Sequence, residues 1–430
     1  MLPPGPALPR SIQGAVALVD RRAALTAMRR RHGPDFTVDV PIFGEVVVIG
    51  DPAHVQQIFR SAPEELDTVE GSLGRVLGAG SLFALKGERH RVQRRLLTPP
   101  FHGNSLRSYR GVILEESRHE FAGWPEDREF ATLPAMMRIT LAAILRAVFG
   151  ARGAQFTRLQ SLLPPAVALG SRLSIVPVPQ WDWGRLSPWG RFFAARREYD
   201  AIVDELIAIA TADPALDDRT DALAVLLRSR YADGTAMSRD EIADQLLTLL
   251  TAGYETTATT LAWSVERLRR HPQILARLVA ELDDGGEELL DATIAEVQRC
   301  RPVVDTTFRE VAAPSYRLGP WTLPHGQTVM VAIGLVHDGS GLDDRPGFDP
   351  DRFLGGRPDP AGWIPFGGGA RRCIGAAFAT MELKVVLREL LSQFTLHPTA
   401  ERDEPMRSRG VAMAPGRGGR AVVTRRRAAG

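Results

Sequence analysis

The segment from Ser238 to Arg270 constrains this chain more than any other. Ser238 and Glu241 stand as Ser-x-x-Glu, the spacing in which two side chains reciprocally cap the backbone amides of a helix start. His271-Pro272 ends the segment, because a residue before proline avoids the helical region. A helix of about 32 residues runs ~48 Å, enough to cross a whole domain. Its centre, Thr251 through Thr260, is rich in threonine and holds Gly253, residue types that weaken a helix interior. A strong helix that weakens at its middle breaks a local rule, as functional sites do. The plainer alternative is a groove of small residues that packs another helix.

Helical spacing recurs over residues 105–150, 193–230 and 375–395. Residues 38–49 alternate, are β-branched and carry Gly44, which reads as a hairpin. Residues 321–337 are strand-like around a Pro-His-Gly turn, and 409–424 read as a Gly-Pro hairpin. Leu162 to Trp183, rich in Pro and Trp, reads as an irregular apolar loop. The predicted class is mainly α with small β-sheets. With no internal repeat and no low-complexity linker, residues 1–430 are expected to form a single domain.

Composition removes several function classes. Lys plus Arg is 53 against 51 Asp plus Glu, a net charge of +2. No global positive field points to nucleic acid. Cys300 and Cys373 are the two cysteines, which excludes a disulfide scaffold and any zinc site built from several thiolates. No run of 18 apolar residues exists, so no membrane span is expected. The start, Met1-Leu-Pro-Pro-Gly-Pro, lacks the layout of a secretory signal, and a cytoplasmic setting is expected.

The chemistry concentrates in Pro365-Phe-Gly-Gly-Gly-Ala-Arg-Arg-Cys-Ile-Gly375. Glycines around Cys373 let the backbone curl and turn amides toward the sulfur. A helix predicted just after it adds a positive end. Both effects favour a thiolate. A buried structural cysteine is the competing reading, and the glycine frame with paired arginines argues against it.

The pattern Phe366, Gly369, Arg371, Cys373, Gly375 resembles the haem-binding loop of cytochrome P450 enzymes. Further segments match that family in its order. Ala252-Gly-x-Glu-Thr-Thr257 resembles its central-helix motif and Glu296-x-x-Arg299 its Glu-x-x-Arg helix. Phe348-Asp-Pro-Asp-Arg-Phe353 resembles its meander, and His90-x-x-x-Arg94 the C helix of its soluble bacterial type. The resemblance implies the P450 fold, a helical domain plus a smaller β-rich region, and haem b (iron protoporphyrin IX) with Cys373 as iron ligand. It implies that His90, Arg94, Arg309 and Arg371 hold the haem propionates, with Phe366 as a further haem-binding residue. Glu296, Arg299 and Arg352 are expected to form a structural charge network. Glu255 and Thr256 are expected to deliver protons to dioxygen.

The function implied is a haem-thiolate monooxygenase that hydroxylates or epoxidises a hydrophobic small molecule such as a terpenoid, fatty acid or polyketide. By family position its pocket would include Leu247, Ala252, Val303, Val304 and Val411, with Asp305 or Arg172 as a polar anchor. Nothing in the chain reads as a flavin or nicotinamide domain, so electrons are expected from a ferredoxin and its reductase. The alternatives are a haem-binding sensor or carrier without turnover, which would not need Glu255 and Thr256, and a thiol hydrolase, which would need a histidine base near Cys373.

Overall fold

The computed structural model describes residues 1–10, 13, 21–40, 44–69, 72–150, 153–175, 179–339, 347–356 and 359–426. They fall into two compact units: Met1–Glu70 with Ala295–Cys373, and Gly71–Ile294 with Ile374–Gly430.

The first unit is organised by a five-stranded sheet. Its spatial order is Asp35–Val40, Gly44–Ile49, Thr328–Ala332, Thr306–Val311, Leu66–Asp67. The expected hairpin is present, with Phe36 opposite Val48. Its second strand then pairs in parallel with Thr328–Ala332, Val47 opposite Val329. Val47, Ile49, Val329 and Val331 alternate onto one face and bury against Val55, Ile58 and Val336; the opposite face buries Phe36, Val46, Val48 and Leu335. A sheet covered on both faces favours such β-branched runs. The strand-like expectation for 321–337 holds only in part. Trp321–Pro324 pairs with Ser315–Leu318, and the chain turns helical at Ile333–Gly339.

The second unit is organised by the long helix, Arg239–Arg270, with both halves of the Ser238–Glu241 capping box formed. It is unbroken, and its weak centre does not open. Threonine hydroxyls donate back to carbonyls one turn earlier: Thr251 to Leu247 at 2.8 Å, Thr256 to Ala252 at 2.8 Å, Thr260 to Thr256 at 3.0 Å. Gly253 serves packing, because a Cβ there would stand 2.8 Å from Ile144 on the helix Leu133–Phe149. Thr140 of that helix donates to the Tyr254 carbonyl at 2.9 Å. Leu246, Leu250, Leu261, Val265 and Leu268 are fully buried, each worth ~1.5–3 kcal/mol of transfer free energy. The helix Ala376–Gln393 packs on Asn104–Ala122, Phe378 edge-on to Tyr109.

Two expectations fail here. Much of the supposed loop Leu162–Trp183 is helical, in Ala154–Ile175, despite Pro164 and Pro165 inside it. Leu159, Leu163 and Val167, four residues apart, are all buried, and burying that one face outweighs the local cost of proline. The 409–424 hairpin is shorter and earlier: Met406–Arg409 pairs with Ala412–Pro415, while Arg420–Ala421 pairs with Phe130–Ala131.

Candidate active site

In the first unit the cysteine loop is folded back on itself. The Cys373 amide donates to the Phe366 carbonyl at 2.9 Å, Gly367 N–H to Ile364 at 2.9 Å and Arg372 N–H to Gly369 at 3.1 Å. Gly369 has φ +64°, and a Cβ there would lie 2.1 Å from the Phe59 carbonyl oxygen. Conformation and space both demand glycine at that position. The loop leaves the Cys373 side chain exposed.

The entry to this loop is held from two sides. Trp363 Nε1 donates to the Ala295 carbonyl at 3.0 Å. The Ile364 amide donates to His337 Nε2 at 2.9 Å, and His337 Nδ1 lies 3.2 Å from the Arg299 carbonyl, to which it donates. His337 is fully buried, and burial lowers its pKa to about 4. Only a neutral imidazole can donate at one nitrogen and accept at the other. The folded protein therefore keeps His337 neutral, while the unfolded chain takes up a proton below about pH 6.5. The contribution is complete above pH 6.5 and is lost as pH falls toward 4. Chemical denaturation at pH 7.5 and pH 5 should show about 2 kcal/mol less of this acid loss in His337→Gln, whose amide can reproduce both hydrogen bonds.

Three charged residues brace the same region. Arg299 Nε and Nη2 donate to Glu296 at 2.7 and 2.9 Å, a bidentate fork. Arg352 Nε stands 3.0 Å from the same carboxylate. Glu296 also accepts from the Asp349 amide at 2.9 Å. Glu296 is wholly buried and both guanidiniums nearly so. The carboxylate thus joins the helix Glu288–Cys300 to the turn Pro350–Phe353.

Arg309 and Arg371 are electrostatic neighbours, and Asp67 acts on both. Arg371 pairs with Asp67 at 2.6 Å. Arg309, only 8% exposed on the strand Thr306–Val311, finds neutral acceptors among the described residues: Thr307 Oγ1 at 3.3 Å and the Phe308 carbonyl at 2.8 Å. Burial, reinforced by the Arg371 charge, lowers its pKa to about 10. A buried cation whose desolvation outweighs the attraction of Asp67 calls for a further anion. The haem propionates are such anions, so this donor set fits the group, as does the exposed thiol on a rigid loop.

In the second unit, His90 and Arg94 lie one turn apart on the helix Gly87–Leu97, His90 buried and Arg94 half-buried. Glu255 and Thr256 sit side by side near the middle of the long helix. Glu255 faces Arg409, Nε to Oε1 3.5 Å. Burial raises the Glu255 pKa, and Arg409 offsets this only in part. One residue on, Thr257 neighbours Glu382, a fully buried acid of the helix Ala376–Gln393. Burial holds the Glu382 carboxyl well above the usual carboxylate range. Of the expected pocket residues, Leu247 and Val303 are buried, Val304 half-buried, Ala252 and Val411 exposed. Asp305 is not available as an anchor: it is paired with Arg21 at 2.6 Å.

Sequence reasoning missed four groups: His337, Asp67, Arg409 and Glu382. None lies in a local motif. Each is identified by the partner that folding brings to it.

The first unit thus carries a tightly folded glycine–cysteine loop and the buried Arg309, and the second carries Glu255 beside Thr256 in its long helix. Residues 3–419 match the family Cytochrome P450, and the chain belongs to it. It is 52% identical to "Putative cytochrome P450 138" of Mycobacterium tuberculosis over 99% of this chain and 97% of that one. It is 41% identical to "Putative cytochrome P450 135B1" of the same species over 98% and 91%. Among solved structures it is similar to a retinoic acid-bound cyanobacterial CYP120A1, with a TM-score of 0.85, 26% identity and 99% of each chain covered. The cytochrome P450DA heme domain superposes with a TM-score of 0.87 at 21% identity, over 99% and 98%, a likeness of fold. The chain is thus a cytochrome P450 monooxygenase with haem b as its prosthetic group. Among the described residues no helix is long and apolar enough to cross a membrane.

Proposed function

We propose that this enzyme transfers one oxygen atom from O2 to a hydrophobic small molecule of terpenoid, fatty-acid or polyketide type, in the cytoplasm, with electrons from a ferredoxin and its reductase. The observation that carries the oxygenase reading is the pair Glu255 and Thr256. A carrier needs the thiolate and the propionate clamp, but not a buried acid beside an alcohol.

The whole chain acts as one catalytic domain. Haem, when bound, supplies the redox chemistry of dioxygen activation. Cys373 is its iron ligand, with Phe366 at the base of the loop. Arg309, Arg371, His90 and Arg94 hold its propionates through charge-assisted hydrogen bonds. Glu296, Arg299 and Arg352 keep the segment behind the loop in place.

Thr256 and Glu255 manage protons. The Thr256 hydroxyl donates to the Ala252 carbonyl, which leaves its oxygen lone pairs as acceptors for a water. Glu255, its pKa raised by burial, holds a proton closer to neutral pH than an exposed glutamate does. Arg409 is half-exposed at the outer side of Glu255, so a shift of that side chain links the acid to solvent. Leu247, Ala252, Val303, Val304 and Val411 contribute an apolar surface for substrate. The retinoic acid bound to the cyanobacterial neighbour supports an apolar ligand of that size.

Thr256→Ala should keep haem and reduction by a surrogate ferredoxin system but lose coupling. The ratio of product formed to NAD(P)H consumed should fall roughly tenfold or more, in the range of a lost general acid–base contribution. Product yield per electron equal to wild type contradicts the assignment.

A further inference from the structure

The apolar surface proposed for substrate borders on arginines with donors to spare. Arg409 ends the strand Met406–Arg409, and Val411, 40% exposed, stands at the tip of the same hairpin. Arg409 Nε faces Glu255 at 3.5 Å, and its two terminal nitrogens meet no acceptor among the described residues. The side chain is 47% exposed, so a ligand can reach it. Ala252 lies one turn before Glu255 and Thr256 on a shared helix face. Arg409 therefore stands at the edge of the surface that Ala252 and Val411 present.

The hairpin that carries these groups is fixed in place. Trp263 Nε1 on the long helix donates to the Met413 carbonyl at 2.9 Å, and the Gly416 amide to the Pro405 carbonyl at 2.8 Å. Within the turn, Ser408 Oγ donates to the Gly410 carbonyl at 2.9 Å. Gly410 has φ +72°, and a Cβ there would stand 2.3 Å from Ser171 Cβ on the helix Ala154–Ile175. The turn meets that helix only because Gly410 carries no side chain. Arg172 is the next residue of the helix, and strand alternation puts Arg407 and Arg409 on one face of the ribbon. Arg172 and Arg407 are exposed and form no ion pair among the described residues. Three guanidiniums thus belong to the junction of hairpin and helix. Glu255 is the acid that pairs with one of them, and its burial favours the protonated, uncharged form.

A guanidinium engaged only at Nε still offers an end-on fork of N–H donors, the geometry that grips a carboxylate. A wholly apolar ligand has no use for that fork, whereas a ligand with an acid at one end uses fork and apolar surface together. We propose that the substrate is an amphipathic carboxylic acid whose carboxylate is held by Arg409. Arg172 and Arg407 add positive field beside it, and the apolar chain lies along Ala252 and Val411. This rests on the oxygenase reading above and narrows it to one substrate class, long-chain or isoprenoid acids rather than their esters, alcohols or hydrocarbons.

The test titrates the haem-loaded full chain with the straight-chain acids from decanoic to hexadecanoic, with farnesoic acid and with the methyl ester of each. Calorimetry and the ligand-induced change in haem absorbance read the affinity. At neutral pH the wild type should bind its best acid roughly tenfold or more tighter than the matching ester, as a charge-assisted hydrogen bond allows. That preference should shrink as salt rises. Arg409→Gln should lose about tenfold on the acids and little on the esters, and Arg409→Lys, which keeps the charge without the fork, should recover part of the loss. Arg172→Gln with Arg407→Gln should lose a smaller, salt-dependent share. Equal affinity for acid and ester overturns the proposal, as does an acid preference that survives in Arg409→Gln. Tighter binding of the esters keeps the hydrophobic-substrate reading and ends this one; a chain that binds neither series loses both.

Discussion

Glu296→Ala is expected to cost about 3–5 kcal/mol of stability and most of the bound haem. Glu296 is wholly buried and neutralises two guanidiniums, Arg299 through two hydrogen bonds and Arg352 at 3.0 Å. Removing it takes from two buried guanidiniums the carboxylate they share, and breaking a buried pair from one side costs far more than the pair contributes in sum. The Asp349 amide loses its acceptor as well, which frees the turn Pro350–Phe353. Glu296→Gln keeps an acceptor but not the charge and should fall between the two. Denaturant unfolding and haem content per chain read both effects. Wild-type stability in the alanine variant would show that the cluster is already solvated.

Arg309→Met is expected to change sign with haem. In the haem-free chain Arg309 is a buried cation whose pKa falls to about 10 from the ordinary 12.5. At roughly 1.4 kcal/mol per pKa unit, removing it should stabilise the haem-free chain by on the order of 3 kcal/mol. Methionine also fills much of the same volume without polar atoms. In the loaded enzyme the same guanidinium meets a propionate, so the variant should lose haem faster to an acceptor such as apomyoglobin, by roughly tenfold or more. Arg371, which already has Asp67 at 2.6 Å, should show a weaker version of this reversal. A stabilising effect in both states would remove Arg309 from the propionate set; a destabilising effect in both would make it an ordinary structural residue.

What the sequence made legible was local. The capping box Ser238–Glu241 and the His271-Pro272 stop are short-range signals, and the long helix begins and ends beside them. The cysteine loop is likewise contiguous, and its turns close through its own backbone hydrogen bonds, with glycine required where Phe59 crowds it. The pairing of Gly44–Ile49 with Thr328–Ala332 joins segments hundreds of residues apart, and no local pattern encodes a strand's partner. The double proline at 164–165 misleads because its signal is local, whereas the payoff of burying Leu159, Leu163 and Val167 is tertiary. Gly253 answers to two demands at once. It weakens the helix locally, but the reason for it is the side chain of Ile144.

The site divides in the same way. Residues inside motifs, such as Cys373, Arg371, Glu255 and Thr256, announce themselves by spacing. His337 does not, because its importance lies in two backbone groups, Arg299 C=O and Ile364 N–H, that only the fold brings to the two sides of one ring. Asp67 and Arg409 modulate charges already identified, and the chain around each carries no pattern that marks it.

The central claim is that the Cys373 sulfur ligates a haem iron. The most direct measurement is the absorbance of the purified, haem-loaded chain after reduction and addition of carbon monoxide, alongside Cys373→Ser at equal haem content. The account predicts the strongly red-shifted Soret band of a thiolate-ligated carbonmonoxy haem in the wild type and its loss in the variant. A wild type lacking that band, or a serine variant that retains it, would place the iron on another ligand.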